Sequence, residues 1–168
     1  MILRPVAESD AETLIAANCA NRSYHAPWVA PPCDRAAFDH WYAGLATGRA
    51  ISMIGLTAEG QVIGVFNFSE IVQANFRSCY LGYYGMAETA GRGLMSLCLR
   101  AGLIHMREAA GLHRVEANIQ PANQRSIRLV RRLGFRLEGF SPKYLFIDGD
   151  WRDHERWAIL LEDVSATI

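Results

Sequence analysis

Gly91 and Gly93 flank Arg92 in the run "ETAGRGLM" at residues 88–95, directly ahead of an apolar helical stretch. Glycine lets a backbone come close to another molecule, and the first turn of a helix leaves several N–H groups without partners. A Gly-x-Gly in that place suits an anion, because it combines amide donors with a helix dipole worth about 0.3–1 kcal/mol per interaction. Two familiar phosphate loops fail on spacing. The chain has no Gly-x-x-x-x-Gly-Lys-Ser/Thr, and Ser96 stands where a dinucleotide fingerprint needs its third glycine. ATP hydrolysis and NAD binding are therefore not expected.

The loop must be held by the elements around it. Residues 76–85, "FRSCYLGYYG", read as a strand broken by Gly82 and Gly85, which mark a bulge or a close approach of another molecule. From Leu94 to Ala110 the chain is apolar on nearly every side, as a buried central helix would be. "HRVEANIQ" then alternates Val115, Ala117 and Ile119 with Glu116, Asn118 and Gln120. Strand, helix and strand make a crossover unit whose two strands should run parallel. Upstream lie a strand over 1–6, a helix over 10–22 capped by Ser9 with Glu12 in capping-box spacing, and a helix from Asp34 to Gly48. Strands over 50–57 and 61–70 follow. Downstream lie a helix over 124–133, a strand "FRLEGF", and a final stretch folded at Asp148-Gly149. The expected fold is mixed α/β in one domain over 1–168, with about seven strands and about four helices, in the order strand, two helices, three strands, helix, strand, helix, two strands.

The motif Glu88-x-x-Gly91-Arg92-Gly93, followed about thirty residues later by "NQRSIRLVRRLGF", resembles the GCN5-related N-acetyltransferase superfamily. From Gly64 onward, "GVFNFSEIV", "HRVEANIQPANQRS", "LGFRLEG" and "YLFIDGDWRDH" look like its branch of ribosomal-protein alanine N-acetyltransferases. The likeness implies the acyl-CoA N-acyltransferase fold, with backbone amides at Gly91, Arg92, Gly93, Leu94 and Met95 turned to the pyrophosphate of acetyl-CoA. It also implies that the strand ending in Tyr83, Tyr84 and Gly85 splays from its parallel neighbour and admits the pantetheine arm. The sequence departs from the pattern in three places. Glu88 replaces Gln or Arg, Gly85 replaces a bulkier apolar residue, and Val130 stands where many members carry a tyrosine acid.

Direct acetyl transfer needs an unprotonated amine, a polarised thioester and a partner for the departing thiolate. With no tyrosine at Val130, the resemblance points to Ser126 as that partner; the alternative is a serine bonding its local backbone. Asn123 suits both a pantetheine contact and a helix cap. Asn118 and Arg132 complete the cofactor set. Glu70 is the carboxylate best placed for a base acting through water, unless it is simply solvated. Tyr24, Trp28 and Asn67 are assigned to the acceptor groove. Trp41 and Tyr42 either join that wall or pack the core, and Arg125, Arg128 and Arg132 either meet the 3′-phosphate or form a solvated face. Asp153 and His154 are either an acid-base pair or a structural hydrogen bond.

An α-amine titrates near 7.7–8.0, leaving about a tenth to a sixth free at pH 7, whereas a lysine near 10.4 leaves about one part in several thousand. A protein N-terminus, such as that of a ribosomal protein, is thus the first expected acceptor. A small amine or an aminoglycoside comes next, and a non-catalytic acyl-CoA module is the rival reading. Seventeen basic and seventeen acidic residues cancel, so no direct nucleic-acid partner is expected. Neither a signal-peptide pattern nor a membrane-spanning run is seen, and the expectation is a cytoplasmic monomer or homodimer. The four cysteines lack metal spacing, and no metal is expected.

Overall fold

A computed structural model describes residues 1–165. The strands are β1 (Ile2–Pro5), β2 (Ile51–Leu56), β3 (Val62–Val72), β4 (Ser78–Gly85), β5 (Arg114–Ile119), β6 (Arg136–Ile147) and β7 (Asp150–Leu160). They form a single seven-stranded sheet in the order β1-β2-β3-β4-β5-β7-β6. The helices are α1 (Ala11–Ala20), α2 (Arg22–His25), α3 (Arg35–Leu45), α4 (Leu94–Glu108) and α5 (Gln124–Arg132).

The period-two pattern of the strands sorts side chains to two faces. In β3, Phe66 and Phe68 join Leu99, Leu103 and Met106 of α4 and Ile127 and Val130 of α5 in one core. Val65 points the other way and packs with Leu14 of α1 and Phe38 of α3. Helices thus cover both faces of one sheet, and no helix is long and apolar enough to cross a membrane among the described residues.

Three sequence expectations are corrected. Among the described residues the helices number five where about four are expected, because the first one breaks at Asn21 (φ −105°, ψ 13°) and resumes as the single turn α2. Ser9 does not cap α1. Asp10 instead accepts the Ala7 N–H at 2.8 Å and is gripped by both terminal nitrogens of Arg4 at 2.7 and 2.6 Å, which draws residues 8–10 into a 3-10 turn. Finally, "FRLEGF" does not end a strand. Pairing with β7 carries β6 on to Ile147, across register shifts between Leu137 and Gly139 and between Ser141 and Leu145.

Other caps are as expected. Asp34 accepts the Ala37 N–H at 2.8 Å, and Asn123 accepts the Ser126 N–H at 3.2 Å.

The feature that makes a site is the junction of β4 with β5. They are parallel and pair at only three positions, Ser78, Cys79 and Tyr80 against Arg114, Val115 and Glu116. Beyond Tyr80, β4 stays on β3 through Gly85, while β5 stays on β7 through Ile119. Two strands that start as neighbours part company, and a wedge opens in the middle of the sheet.

Candidate acyl-transfer site

The glycine turn closes one end of this wedge. Gly91 and Gly93 both lie in the left-handed region, φ 74° and 76°, and a Cβ at either would meet nothing within 4 Å. Their role is conformational, since a left-handed backbone costs an L-residue about 1–2 kcal/mol. The first N–H groups of α4 with carbonyl partners are those of Ser96 and Leu97, both on Gly93 O, at 3.0 and 3.2 Å. Those of Gly91, Arg92, Gly93, Leu94 and Met95 find no partner among the described residues. Five bare donors ahead of a fifteen-residue helix fit a diphosphate without any lysine.

Glycines set the position of that helix too. A Cβ on Gly64 would meet Tyr84 O at 2.5 Å and Met95 Sδ at 2.7 Å, and one on Gly85 would meet Met95 Sδ at 2.9 Å. Gly64 and Gly85 are register partners, so Met95 lies over a smooth two-glycine patch and brings the start of α4 down onto the strand ends. The departure at Gly85 thus has a packing reason.

A cavity of about 650 Å³ fills the wedge, within the roughly 300–1,000 Å³ of ligand pockets. Its lining brings together Tyr83, Tyr84, Gly85, Gly91, Gly93, Leu94 and Met95 with Asn123, Ser126 and Arg132 of α5 and its cap. Tyr24 and Trp28 form a further wall, so the predicted acceptor and cofactor residues share one space. The Arg125 guanidinium lies over the Tyr24 ring, 5.5 Å from its centroid, linking α5 to α2 across the mouth.

Tyr83 Oη hydrogen-bonds to Ser126 Oγ and lies 3.3 Å from the Ser126 carbonyl oxygen. Burial pushes the Tyr83 phenol up to about 12, with the Ser126 hydroxyl working against it, so it stays protonated at neutral pH. Val130 is wholly buried and offers no polar group.

Other predicted residues fall outside the lining. Glu70 is exposed, bonded by Arg49, and held at φ 49° in the irregular stretch between Ser69 and Val72. Phe66, the register partner of Tyr83, is four residues away along the same strand, about 13 Å at 3.3 Å per residue, so the structure does not bring Glu70 to the cavity. Asn67 turns its Oδ1 to the Ser52 hydroxyl at 2.6 Å. Asn118 sits on the splayed half of β5 with its Oδ1 buried and unbonded among the described residues, a free acceptor beside the opening. Arg92 contributes its backbone while its side chain lies exposed. Trp41 and Tyr42 pack on Phe38, at centroid distances of 5.5 and 5.7 Å, and belong to the core. The Asp153 Oδ1 accepts the Lys143 N–H at 2.8 Å, and His154 Nδ1 lies 2.9 Å from Arg152 O; both are structural.

Sequence reasoning missed His25 and Asn21. His25 lines the cavity, is 3% exposed, and packs edge-on against Tyr84 at 5.1 Å. Its Nε2 is 2.9 Å from the Gly85 carbonyl oxygen, which can only accept, so Nε2 carries the proton and Nδ1 is left bare. Burial lowers its pKa, opposed by the Gly85 carbonyl and by the Glu88 charge. Asn21 donates to Glu88 Oε2 at 3.2 Å and accepts the Ala87 N–H at 2.8 Å, which ties the glycine loop to the α1–α2 break. Glu88 is thus an anchor to α1. A lone histidine and a lone asparagine in an irregular segment carry no spacing signal, so neither stood out.

Comparison with known proteins gives the same architecture. Residues 1–136 match the family model of the acetyltransferase (GNAT) domain. The [ribosomal protein uS5]-alanine N-acetyltransferase of Escherichia coli (strain K12) is 35% identical over 172 residues, 97% of this chain and 89% of that protein. The solved ribosomal-protein-S5-alanine acetyltransferase from Vibrio fischeri superposes with a TM-score of 0.83 at 29% identity, covering 97% of this chain and 94% of that one. Mycobacterium smegmatis RimJ in complex with CoA-disulfide gives a TM-score of 0.86 at 29% identity, covering 98% and 84%.

Proposed function

This chain belongs to the acetyltransferase (GNAT) family and is an N-acetyltransferase using acetyl-CoA, and from that premise we propose that its acceptor is the α-amine of a protein N-terminus, with a ribosomal protein as the substrate. The observation that carries the acceptor class is the chemistry of the cavity wall. Its lining includes Arg125, Arg128 and Arg132 and no carboxylate among the described residues. A polyamine or aminoglycoside brings several positive charges and would need acidic partners. An α-amine is a single group that is already about a tenth to a sixth unprotonated at pH 7, so it reacts without a strong base. Similarity along 97% of the chain to a protein named for a ribosomal substrate supports the finer reading.

In this reading the bare amides from Gly91 to Met95 hold the pyrophosphate, and the wedge between β4 and β5 takes the pantetheine arm. Tyr24 and Trp28 wall the acceptor, and the Ser126 hydroxyl faces the thioester sulfur. Two experiments test this. Purified protein and acetyl-CoA are incubated with N-terminal peptides of ribosomal proteins, spermidine and an aminoglycoside while free thiol is followed. Release is expected with peptides bearing a free α-amine and absent when that amine is blocked. Turnover of spermidine or the aminoglycoside with inert peptides would overturn the acceptor assignment. Ser126→Ala should lower kcat by about 10²-fold, the scale of one lost transition-state donor, with CoA affinity nearly unchanged. Unchanged turnover would remove Ser126 from the mechanism.

A further inference from the structure

We propose that Tyr83 supplies from β4 the phenol that α5 lacks at Val130, and that it acts through Ser126 on the departing coenzyme thiolate. The inference rests on the acetyl-transfer reading above and adds a residue to it. Val130 follows Ser126 by one helical turn and so lies on the same side of α5. That position is filled by a fully buried valine packed into the α4–α5 core, so the helix presents only the serine hydroxyl on this side. Tyr83, in the splayed half of β4, reaches across the wedge and meets that hydroxyl.

The direction of the bond follows from acidity. A phenol near 10 is a far better donor than an aliphatic alcohol, and both Ser126 oxygens within reach are good acceptors. Tyr83 therefore donates into Ser126, and the serine's own hydrogen has no other acceptor among the described residues. Donors in series polarise one another, so a serine hydroxyl accepting from a phenol is itself a stronger donor. Its free hydrogen is available to sulfur.

The numbers decide between donating a hydrogen bond and giving up a proton. Burial holds the Tyr83 phenol at about 12. Thiols titrate well below that, an unperturbed cysteine near 8.5, so complete transfer from phenol to thiolate would run uphill. The pair stabilises the thiolate and keeps its protons. In the balanced step the amine nitrogen bonds the carbonyl carbon and the C–S bond breaks with its electron pair leaving on sulfur. The surplus amine proton passes to water, and sulfur takes a proton from solvent after release. Tyr83 is a positioning residue, since its effect passes through Ser126 Oγ.

The test combines Tyr83→Phe, Ser126→Ala and the double variant, with kcat, KM for acetyl-CoA and calorimetric CoA binding measured for each. Tyr83→Phe should lower kcat about tenfold while KM and CoA affinity stay within about twofold, and the double variant should be no slower than Ser126→Ala by more than about twofold. Rate losses that multiply would overturn the series arrangement, and a loss of CoA affinity at unchanged kcat would make Tyr83 a cofactor wall only. A second measurement keeps the shape intact. With 3,5-difluorotyrosine at position 83, the alkaline limb of kcat should move down in pH, and the fluorine resonance should shift on Ser126→Ala. An unmoved limb, or a resonance indifferent to Ser126, would also overturn the proposal. If Ser126→Ala is impaired and Tyr83→Phe is not, this inference fails alone. If no acceptor releases thiol from the wild-type protein, the acetyl-transfer reading fails first.

Discussion

His25 carries a titration that the fold opposes. Its ring is buried against Tyr84 with Nε2 committed to the Gly85 carbonyl, and burial depresses its pKa below the ordinary 6.5. In the unfolded chain the same imidazole takes up a proton as pH falls below about 6.5, so the unfolded state binds more protons there than the folded one. Stability from this group is complete above about pH 6.5 and is lost as pH falls through the lower folded value. A glutamine can still donate to Gly85 without ionising. The thermal midpoint of the wild-type protein should therefore fall more steeply as pH drops below about 6.5 than that of His25→Gln, with the two curves parallel above 6.5. Parallel curves throughout would show that the ring does not titrate as its surroundings imply. Asp10 adds a second, lower window. Its bidentate bond from Arg4 depresses the carboxyl below the ordinary 3.8, and that contribution disappears only as pH falls through the carboxylate range.

The β4–turn–α4 connection concentrates backbone specificity in two glycines. Gly93 is the N-cap of α4 at φ 76°, and a Cβ there meets no atom within 4 Å, so Gly93→Ala isolates the conformational cost. That cost is about 1–2 kcal/mol, which for a chain of this size lowers the thermal midpoint by roughly 2–8 °C. If the turn relaxes to escape it, the bare amides lose their alignment and CoA affinity should fall about tenfold or more by calorimetry. An alanine variant with native stability and affinity would show that the left-handed turn is dispensable. This unit was also the most legible part of the sequence, because a Gly-x-Gly ahead of a long apolar helix and an alternating strand are local signals. The elements read less well were decided by tertiary partners. Arg4 captured Asp10 and displaced Ser9 from capping, and β7 extended β6 past Phe140. The same division holds in the site. Residues on the loop and on α5 could be placed by motif, whereas the Tyr83–Ser126 contact joins positions 43 apart, and the irregular pairing beyond Ser69 that holds Glu70 away depends on strand register.

At the level of the whole chain, the wedge exists because one continuous sheet is held on both sides. Beyond Tyr80 the separation of β4 and β5 depends on β3 gripping one and β7 the other, and each of those strands is covered by a core shared with helices. Releasing β3 or β7 would open a core, so the described residues should unfold as one cooperative unit, the behaviour usual for small single domains. A ligand that bridges the α4 turn, the wedge and α5 would then stabilise all of it together. At a concentration of about a hundred times its Kd, CoA should add about 2.7 kcal/mol to the stability of a protein that binds it only when folded. For a chain of this size that is a rise of about 5–11 °C in the thermal midpoint, with the transition remaining single. Calorimetric scans with and without CoA measure both quantities at once. Two transitions would divide the sheet into independent units, and a single transition unmoved by CoA would mean that the wedge does not bind the cofactor.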